Sequence, residues 1–197
     1  MRRLLPLFSL GGVPVTIHWS VALITGLLML GALENAWGTL FLIAAYLGVM
    51  LLHEAGHMMA ARWRHCGVRS IELYPIHGLT RIDTPRSRYD ACLIAWGGVL
   101  AQLAVAAPII VLTSVLGFTA NGPVNALLAI FGYFSTVIAV LNLFPVGRFD
   151  GATAWGLFPE AWRRLRRDGG APGRRRRRPL RAEPEPREKV HKGPWVH

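Results

Sequence analysis

Residues 39–63 read TLFLIAAYLGVMLLHEAGHMMAARW, a stretch that is apolar over most of its length but contains His53, Glu54 and His57. A helix of about 20 apolar residues crosses the hydrocarbon core of a bilayer, so this stretch is long enough to span a membrane. Ionisable side chains at membrane depth are costly and usually mark a functional site. The stretch therefore predicts a membrane helix that carries reactive groups.

The composition of the whole chain also indicates a membrane protein. Of the 197 residues, 52% are hydrophobic and only 17% are charged, with a mean hydropathy of +0.35. Ordinary soluble domains carry about 25% charged residues. The net charge is nevertheless +11. Because the apolar body of the chain contains few basic residues, we expect no nucleic-acid partner.

The chain contains four apolar runs of spanning length. Its 22 Lys and Arg residues lie before the first run, between the second and third, at Arg148 and after residue 162. The other two connections, near 34–38 and 117–123, contain none. Because cytoplasmic loops carry the excess of basic residues, both termini and the middle loop are predicted to be cytoplasmic. The four predicted spans cover about 15–33, 39–61, 90–116 and 124–145.

The two ends of the chain differ from this apolar body. The opening MRRLLPLFSL lacks a small-residue cleavage site and precedes a full span, so we expect it to remain as an interfacial segment. The chain divides into a membrane domain, 1–160, and a basic tail, 161–197. The Pro, Gly and charge content of the tail predicts disorder. Its arginine clusters favour anionic lipid headgroups as a partner, with a merely solubilising tail as the alternative.

The HEAGH segment has the spacing of a zinc-binding motif. His53 and His57 are four residues apart, so both imidazoles lie on one face of a helix. Glu54 is one step round the helix, in reach of the attacking water as its general base. A catalytic zinc needs a third protein ligand. Asp150 is the one acid beside the fourth run, in the helix-breaking segment FPVGRFDG, and is assigned that role.

Each of these features also has a purely structural explanation. The two histidines could be hydrogen-bonded residues at a helix end, with Glu54 facing a loop arginine. Asp150 could end a helix and pair with Arg148.

Residues 68–82 alternate apolar and polar side chains around a Pro and a Gly, which predicts a β-hairpin. Its open edge could pair with an extended substrate strand, or the segment could be a plain cytosolic loop.

Three motifs together resemble those of the site-2 proteases: HEAGH in an apolar helix, NLFPVGRFDG in a later one, and GVRSIELYPIHGLTRI between them. The resemblance covers about residues 10–158 and fits small bacterial members without PDZ or CBS domains. It implies an all-α multi-pass membrane protein with a membrane-associated hairpin at 68–82, between the second and third spans. It also implies zinc-dependent cleavage of a single-span membrane protein within the bacterial plasma membrane.

The resemblance extends to further site residues. Asn142 matches the asparagine that is thought to contact substrate or to stabilise the oxyanion. Many members read Gly-Pro-x-x-Asn in the third helix, where this chain has Gly97, Gly98 and then Gln102, and Gly78 lies where Gly-Gly is common in the hairpin. The glycines of the third helix could line the substrate path or only allow close helix packing.

Two other functional classes remain open at this point. The altered third-helix motif allows a catalytically silent relative that binds client helices as a membrane adaptor. A small membrane transporter or zinc carrier is the second possibility, but the reactive cluster lies at one end of the spans, and no ladder of ionisable residues crosses them. An active intramembrane metalloprotease is the preferred hypothesis because all four of its essential residues are present.

Overall fold

A computed structural model describes residues 4–147 and 149–168; the remainder of the predicted tail, 169–197, lies outside the described residues. Helices predominate, and a small sheet is built from strands before and after the second helix. The strands are β1 (Leu4–Leu10), β2 (Val13–His18), β3 (Val68–Leu73) and β4 (Gly78–Ile82). The helices are α1 (Trp19–Gly31), α2 (Ala36–Trp63), α3 (Arg88–Leu116), α4 (Gly122–Leu128), α5 (Ser135–Asn142), α6 (Gly151–Ala154) and α7 (Leu157–Asp168).

Within the described part of the chain the sheet has four strands in the order β1-β2-β3-β4. The strands β3 and β4 form an antiparallel hairpin, and β2 pairs with β3 in parallel. Alternate β-branched residues point one face of β2 and β3 towards Met50 and Met58 of α2, where Val15 and Ile71 are completely buried. The sequence prediction of an all-α fold with a lone hairpin is thus corrected to helices plus a mixed sheet.

The opening residues and the first predicted span differ most from expectation. The N-terminal segment, predicted to be interfacial, forms strand β1, and residues 15–18 of the predicted span belong to β2. This leaves 13 residues for α1. At 1.5 Å per residue such a helix is about 20 Å long, short of the roughly 30 Å hydrocarbon core.

Among residues 4–147 and 149–168, three helical stretches are long and apolar enough to cross a membrane, rather than the four expected. They are Leu33–Trp63, Arg88–Leu116 and Gly122–Asn142. The last is composed of α4, a π-helical turn at Ala129–Phe134 and α5. The chain is therefore a membrane protein with a predominantly helical, membrane-embedded body.

The antiparallel helices α2 and α3 make the closest contact between these stretches. A Cβ on Gly97 would lie 2.6 Å from the carbonyl oxygen of Gly56 and 2.7 Å from the Cβ of Ala60. Real Cβ atoms do not approach other atoms so closely, so glycine is required where the two backbones meet. Helix α3 thereby lies directly behind the HEAGH segment of α2.

The last apolar helix ends at Asn142, earlier than the predicted 145. The chain then turns back, and a Cβ on Gly151 would clash with the backbone carbonyls of Leu143 and Phe144. Two indole N–H groups hold this turn: Trp155 donates to the carbonyl of Leu143 at 2.7 Å, and Trp96 of α3 donates to that of Ala154 at 3.0 Å. These bonds fix the loop that carries the aspartate of the predicted ligand set.

The chain continues into α7 where the sequence predicts a disordered tail. This helix covers Leu157–Asp168, so residues 161–168 are helical. Phe158, Trp162 and Leu165 recur at intervals of four and three residues, and a helix places residues at this spacing on one face. This apolar spacing within the basic sequence explains the difference.

Candidate metal centre

The two histidines of HEAGH are held in place by α3. The Nδ1–H of His57 donates to the backbone carbonyl of Ile94 at 2.8 Å. The Nδ1–H of His53 donates to the side-chain oxygen of Gln102 at 2.9 Å. Because both partners are acceptors, each imidazole carries its proton on Nδ1 and turns the lone pair of Nε2 outward from α3.

Both Nε2 atoms point at Asp150. Oδ2 of the aspartate lies 2.9 Å from Nε2 of His53 and 3.2 Å from Nε2 of His57, and the two Nε2 atoms are 3.0 Å apart. The three ligand atoms lie within 4.8 Å of one another. Burial acts to raise the pKa of the Asp150 carboxyl, but its contacts with the two adjacent histidines hold that pKa well below its usual range. The group is therefore a carboxylate at neutral pH, as a metal ligand must be.

The space around these atoms fits a metal ion. A Cβ on Gly98 of α3 would lie 2.6 Å from Nε2 of His57 and 2.7 Å from Cε1 of His53. Glycine at this position is what allows the imidazoles to converge. Two imidazole nitrogens and one carboxylate oxygen form the donor set of catalytic zinc sites, which keep a further position open. The residues present therefore fit a zinc ion.

The carboxylate of Glu54 is positioned by the hairpin. It is buried, with 5% of the residue exposed, and its Oε2 accepts a hydrogen bond from the hydroxyl of Thr80 at 2.7 Å. The same hydroxyl lies 3.1 Å from the backbone carbonyl of Glu54. A Cβ on Gly78 would clash with this carboxylate. Gly78 and Thr80 lie two positions apart, so both are on the face of β4 that packs against the carboxylate of Glu54.

A cavity of about 1260 Å³ opens in front of these groups. The metal-centre residues, Glu54 and the β4 residues Gly78 and Thr80 line it, and so does Asn142 at the end of α5. Thr80 was missed by the sequence reasoning, although it shares a strand face with Gly78 and the alternation of a strand could have indicated it.

Gln102, Gly97 and Gly98, the third-helix residues expected at the substrate site, do not line the cavity. Gln102 is fully buried and contacts His53, not the cavity. Gly97 packs against α2, and Gly98 lies behind the two imidazoles. The sequence left open whether these glycines line a substrate path or allow close helix packing. Close packing explains Gly97, whereas Gly98 leaves space for the two imidazoles. The structure thus places Asn142 at the cavity and Gln102 in support of a predicted ligand.

An aromatic stack on the cavity wall was also missed. The ring of Tyr74 lies between those of His18 and His77, with centroid distances of 5.1 Å and 4.9 Å. Its members come from the end of β2 and from the hairpin turn, so the stack joins the N-terminal strands to the hairpin beside the cavity. Residues so far apart in sequence give no local signal of such a contact.

The comparisons with known proteins agree with this geometry at the level of the fold. No protein-family model matches the chain, and no curated protein sequence does. Among solved structures, the fold is similar to that of a site-2 protease from Methanocaldococcus jannaschii, with a TM-score of 0.62. The match has 20% sequence identity and covers 80% of this chain and 72% of that protein. The chain therefore has the fold of a site-2 protease.

Proposed function

We propose that this chain, which has the fold of a site-2 protease, is an intramembrane zinc metalloprotease. Its reaction is hydrolysis of a peptide bond in or near the transmembrane segment of a single-span membrane protein. The observation that carries the proposal is the convergence of His53 Nε2, His57 Nε2 and Asp150 Oδ2 within 4.8 Å. The aspartate is 97 positions from His53 in the sequence, and both imidazoles are oriented from behind by α3.

The chemistry of the proposed site divides between the metal ligands and Glu54. His53, His57 and Asp150 would hold the zinc ion, which when bound supplies Lewis-acid polarisation of the scissile carbonyl and acidifies water. Thr80 engages Oε2 of Glu54, so that Oε1 can accept the proton of the attacking water. Glu54 then passes this proton to the leaving amide nitrogen.

The substrate would bind in extended form beside β4. A helical segment hides its peptide bonds, so it must unwind before it can be cut. Strand β4 lies at one edge of the sheet, and its residues Gly78, Leu79 and Thr80 line the cavity. An exposed strand edge can pair with an extended peptide. The amide of Asn142, on the same cavity, is available to bind the substrate carbonyl or the developing oxyanion.

The proposed orientation in a bacterial plasma membrane rests on the positions of the first strands, the middle loop and α7. Helix α1 leaves the sheet and α2 returns to it, so the N-terminal strands and the end of α2 are at one end of the molecule. Helix α7 is at this end too, because Arg164 bonds to Ser87 at the start of α3. The basic middle loop is also there, so both termini are assigned to the cytoplasm. The shorter α1 leaves this assignment unchanged.

The inactive-adaptor hypothesis is motivated by Gln102, which differs from the usual asparagine. The side-chain oxygen of Gln102 accepts a hydrogen bond from His53 at 2.9 Å. This contact supports the proposed metal site, so we favour the active protease.

Cleavage of a single-span substrate by the detergent-purified chain tests the proposal. Glu54→Gln should keep its zinc and lose cleavage, because it lacks only the general base. Glu34→Gln, on an exposed turn, is the matched control and should cleave like wild type. If Glu54→Gln cleaves as fast as wild type, or wild type with bound zinc cuts none of a panel of single-span substrates, the proposal is wrong.

A further inference from the structure

Helix α7 presents an apolar face that is open to its surroundings. Phe158, Trp162 and Leu165 are 59%, 58% and 67% exposed. Their spacing of four and then three residues places them in one stripe along the helix. Arg163 and Arg164 lie on the other side of the helix. A stripe of large exposed apolar groups opposite arginines is typical of a helix that lies on a membrane surface.

Contacts hold α7 at the level where α3 begins. The guanidinium of Arg164 donates to the hydroxyl of Ser87 at 3.2 Å and lies 4.0 Å above the ring of Tyr89. Ser87 caps the N-terminus of α3, and the apolar helix starts at the next residue, Arg88. Because α3 is long and apolar enough to span a membrane, its first turn lies near the membrane surface. The helix α7 is therefore held at that surface.

A tryptophan at the end of α2 lies at the same membrane depth as the start of α3. Trp63 is the last residue of α2 and is exposed, and Arg64 next to it forms an ion pair with Asp90 in the first turn of α3. Exposed tryptophan is enriched where membrane helices meet the headgroups. Trp162 of α7 and Trp63 of α2 thus both lie at the end of the bundle where α3 starts.

We propose that α7 lies in the membrane–water interface as an anchor for anionic lipid. Phe158, Trp162 and Leu165 enter the boundary between headgroups and acyl chains, and the exposed Arg163 and Arg166 bind phosphate-bearing headgroups. The last six residues of the helix, RRLRRD, contain four arginines and one acid, so the charge complements an anionic surface. The guanidinium of Arg166 lies 4.9 Å above the ring of Trp162, as expected of a long side chain that reaches from an apolar face to the headgroups.

The anchor is coupled to the metal centre through a short connection. Residues 151–156 join Asp150 to α7. Trp155 in this connection binds the carbonyl of Leu143, and its ring stacks on that of Phe158 in α7 with a centroid distance of 5.8 Å. An α7 held on the membrane thereby fixes one end of the segment that carries the third ligand.

Nitroxide labels on the full chain in lipid nanodiscs test the anchor. Labels are attached to Phe158→Cys, Trp162→Cys and Leu165→Cys, with Arg163→Cys as the matched position on the opposite face. The native Cys66 and Cys92 are buried thiols, and a Cys66→Ser/Cys92→Ser background repeats the measurement without them. Collision of the nitroxide with oxygen, relative to a water-soluble nickel chelate, reports the depth of each label.

In nanodiscs of equal parts phosphatidylglycerol and phosphatidylcholine, the three apolar-face labels should favour oxygen at a depth of about 5–10 Å. The label at 163 should favour the nickel chelate. In phosphatidylcholine alone, the apolar-face labels should move towards water. Equal nickel accessibility at all four positions would overturn the proposal, as would spin–spin broadening that shows a second copy on this face. A depth independent of lipid charge would overturn the role of the arginines. The readout requires no proteolysis, so it stands apart from the test of the proposed function.

Discussion

The side-chain oxygen of Gln102 lies 2.9 Å from Nδ1 of His53, and the glutamine is fully buried. This bond determines which nitrogen of His53 carries the proton and directs Nε2 towards Asp150, 2.9 Å away. Asparagine is one methylene shorter and would not reach His53 from the same backbone position. The longer side chain is therefore suited to this contact, and Gln102 lies behind the candidate metal centre.

Replacing Gln102 with Met should weaken zinc binding while the chain stays folded. Methionine preserves much of the side-chain volume but removes the acceptor, so His53 is no longer held in one tautomer and orientation. Loss of such a partner to a ligand typically weakens metal affinity about 10–100-fold. Competition against a chromogenic chelator measures this affinity without any substrate.

Gln102→Glu is the matched variant, because it retains an acceptor oxygen at the same distance along the side chain. It should bind zinc more tightly than Gln102→Met. A Gln102→Met protein with wild-type zinc affinity would show that the contact to His53 positions nothing.

Gly98→Ala should weaken zinc binding by about tenfold or more. The added Cβ would lie 2.6 Å from Nε2 of His57 and 2.7 Å from Cε1 of His53, so it displaces the two imidazoles from their common point. The control is Gly26→Ala in α1, where a Cβ would meet nothing within 4 Å, and it should bind zinc normally. Full zinc affinity in Gly98→Ala would contradict the geometry of the site.

Gly97→Ala should lower the stability of the folded chain, in contrast to Gly98→Ala, whose expected effect is on zinc binding. In Gly97→Ala the new Cβ would lie 2.6 Å from the carbonyl oxygen of Gly56, which forces α2 and α3 apart. Overpacking of this kind costs about 1–3 kcal/mol in the free energy of unfolding. Denaturant-induced unfolding in detergent measures the loss, and a stability equal to that of wild type would disprove the close packing at this position.

Thr80→Val should lower kcat for the cleavage proposed here and leave zinc content unchanged. Valine has the shape of threonine but cannot donate to the carboxylate of Glu54, which the hydroxyl reaches at 2.7 Å. A hydrogen bond to a charged group contributes about 1.5–3 kcal/mol, which corresponds to about 10–100-fold in rate. Thr80→Ser, which retains the donor, should cleave nearly as fast as wild type. Equal kcat values for the valine and serine variants would rule out this role of the hydroxyl.

Chelation of the metal should abolish cleavage and lower the thermal stability of the folded chain. A ligand that binds the folded state alone stabilises it by about 2.7 kcal/mol at a concentration 100 times its Kd, and here it joins α2 to the loop at Asp150. Dialysis against zinc should restore both properties. Cleavage that survives complete removal of zinc, verified by metal analysis, would contradict a metalloprotease.

The parts of the site that the sequence predicts are those with local periodicity or a unique residue type. The spacing of His53 and His57 fixes their common helix face, and Asp150 is the one acid beside the last apolar run. The sequence does not predict β2, because this strand pairs with β3 across a long separation: the hydroxyl of Thr16 donates to the carbonyl of Ile71, 55 positions away. The apolar residues of β2 run directly into α1, so hydropathy alone predicts a single span for the strand and the helix.

The contacts that position His53 and Glu54 also join residues of different elements, so the sequence does not predict them. Gln102 meets His53 across the interface of α2 and α3, and Thr80 meets Glu54 across the interface of β4 and α2. Both contacts depend on the register between elements, which periodicity within one element does not specify. Hydropathy predicts that the last span continues past its observed end at Asn142, because Leu143 and Phe144, although apolar, belong to the turn that brings the chain back.

Zinc K-edge X-ray absorption on the purified full chain, with and without Asp150→Ala, shows whether His53, His57 and Asp150 bind zinc together. We expect one zinc per chain, bound by two imidazoles and oxygen at about 2.0–2.2 Å. We also expect Asp150→Ala to lose an oxygen ligand and most of its zinc affinity. Sulfur at about 2.3 Å from Cys66 or Cys92, or a spectrum and affinity unchanged by Asp150→Ala, would contradict this ligand set.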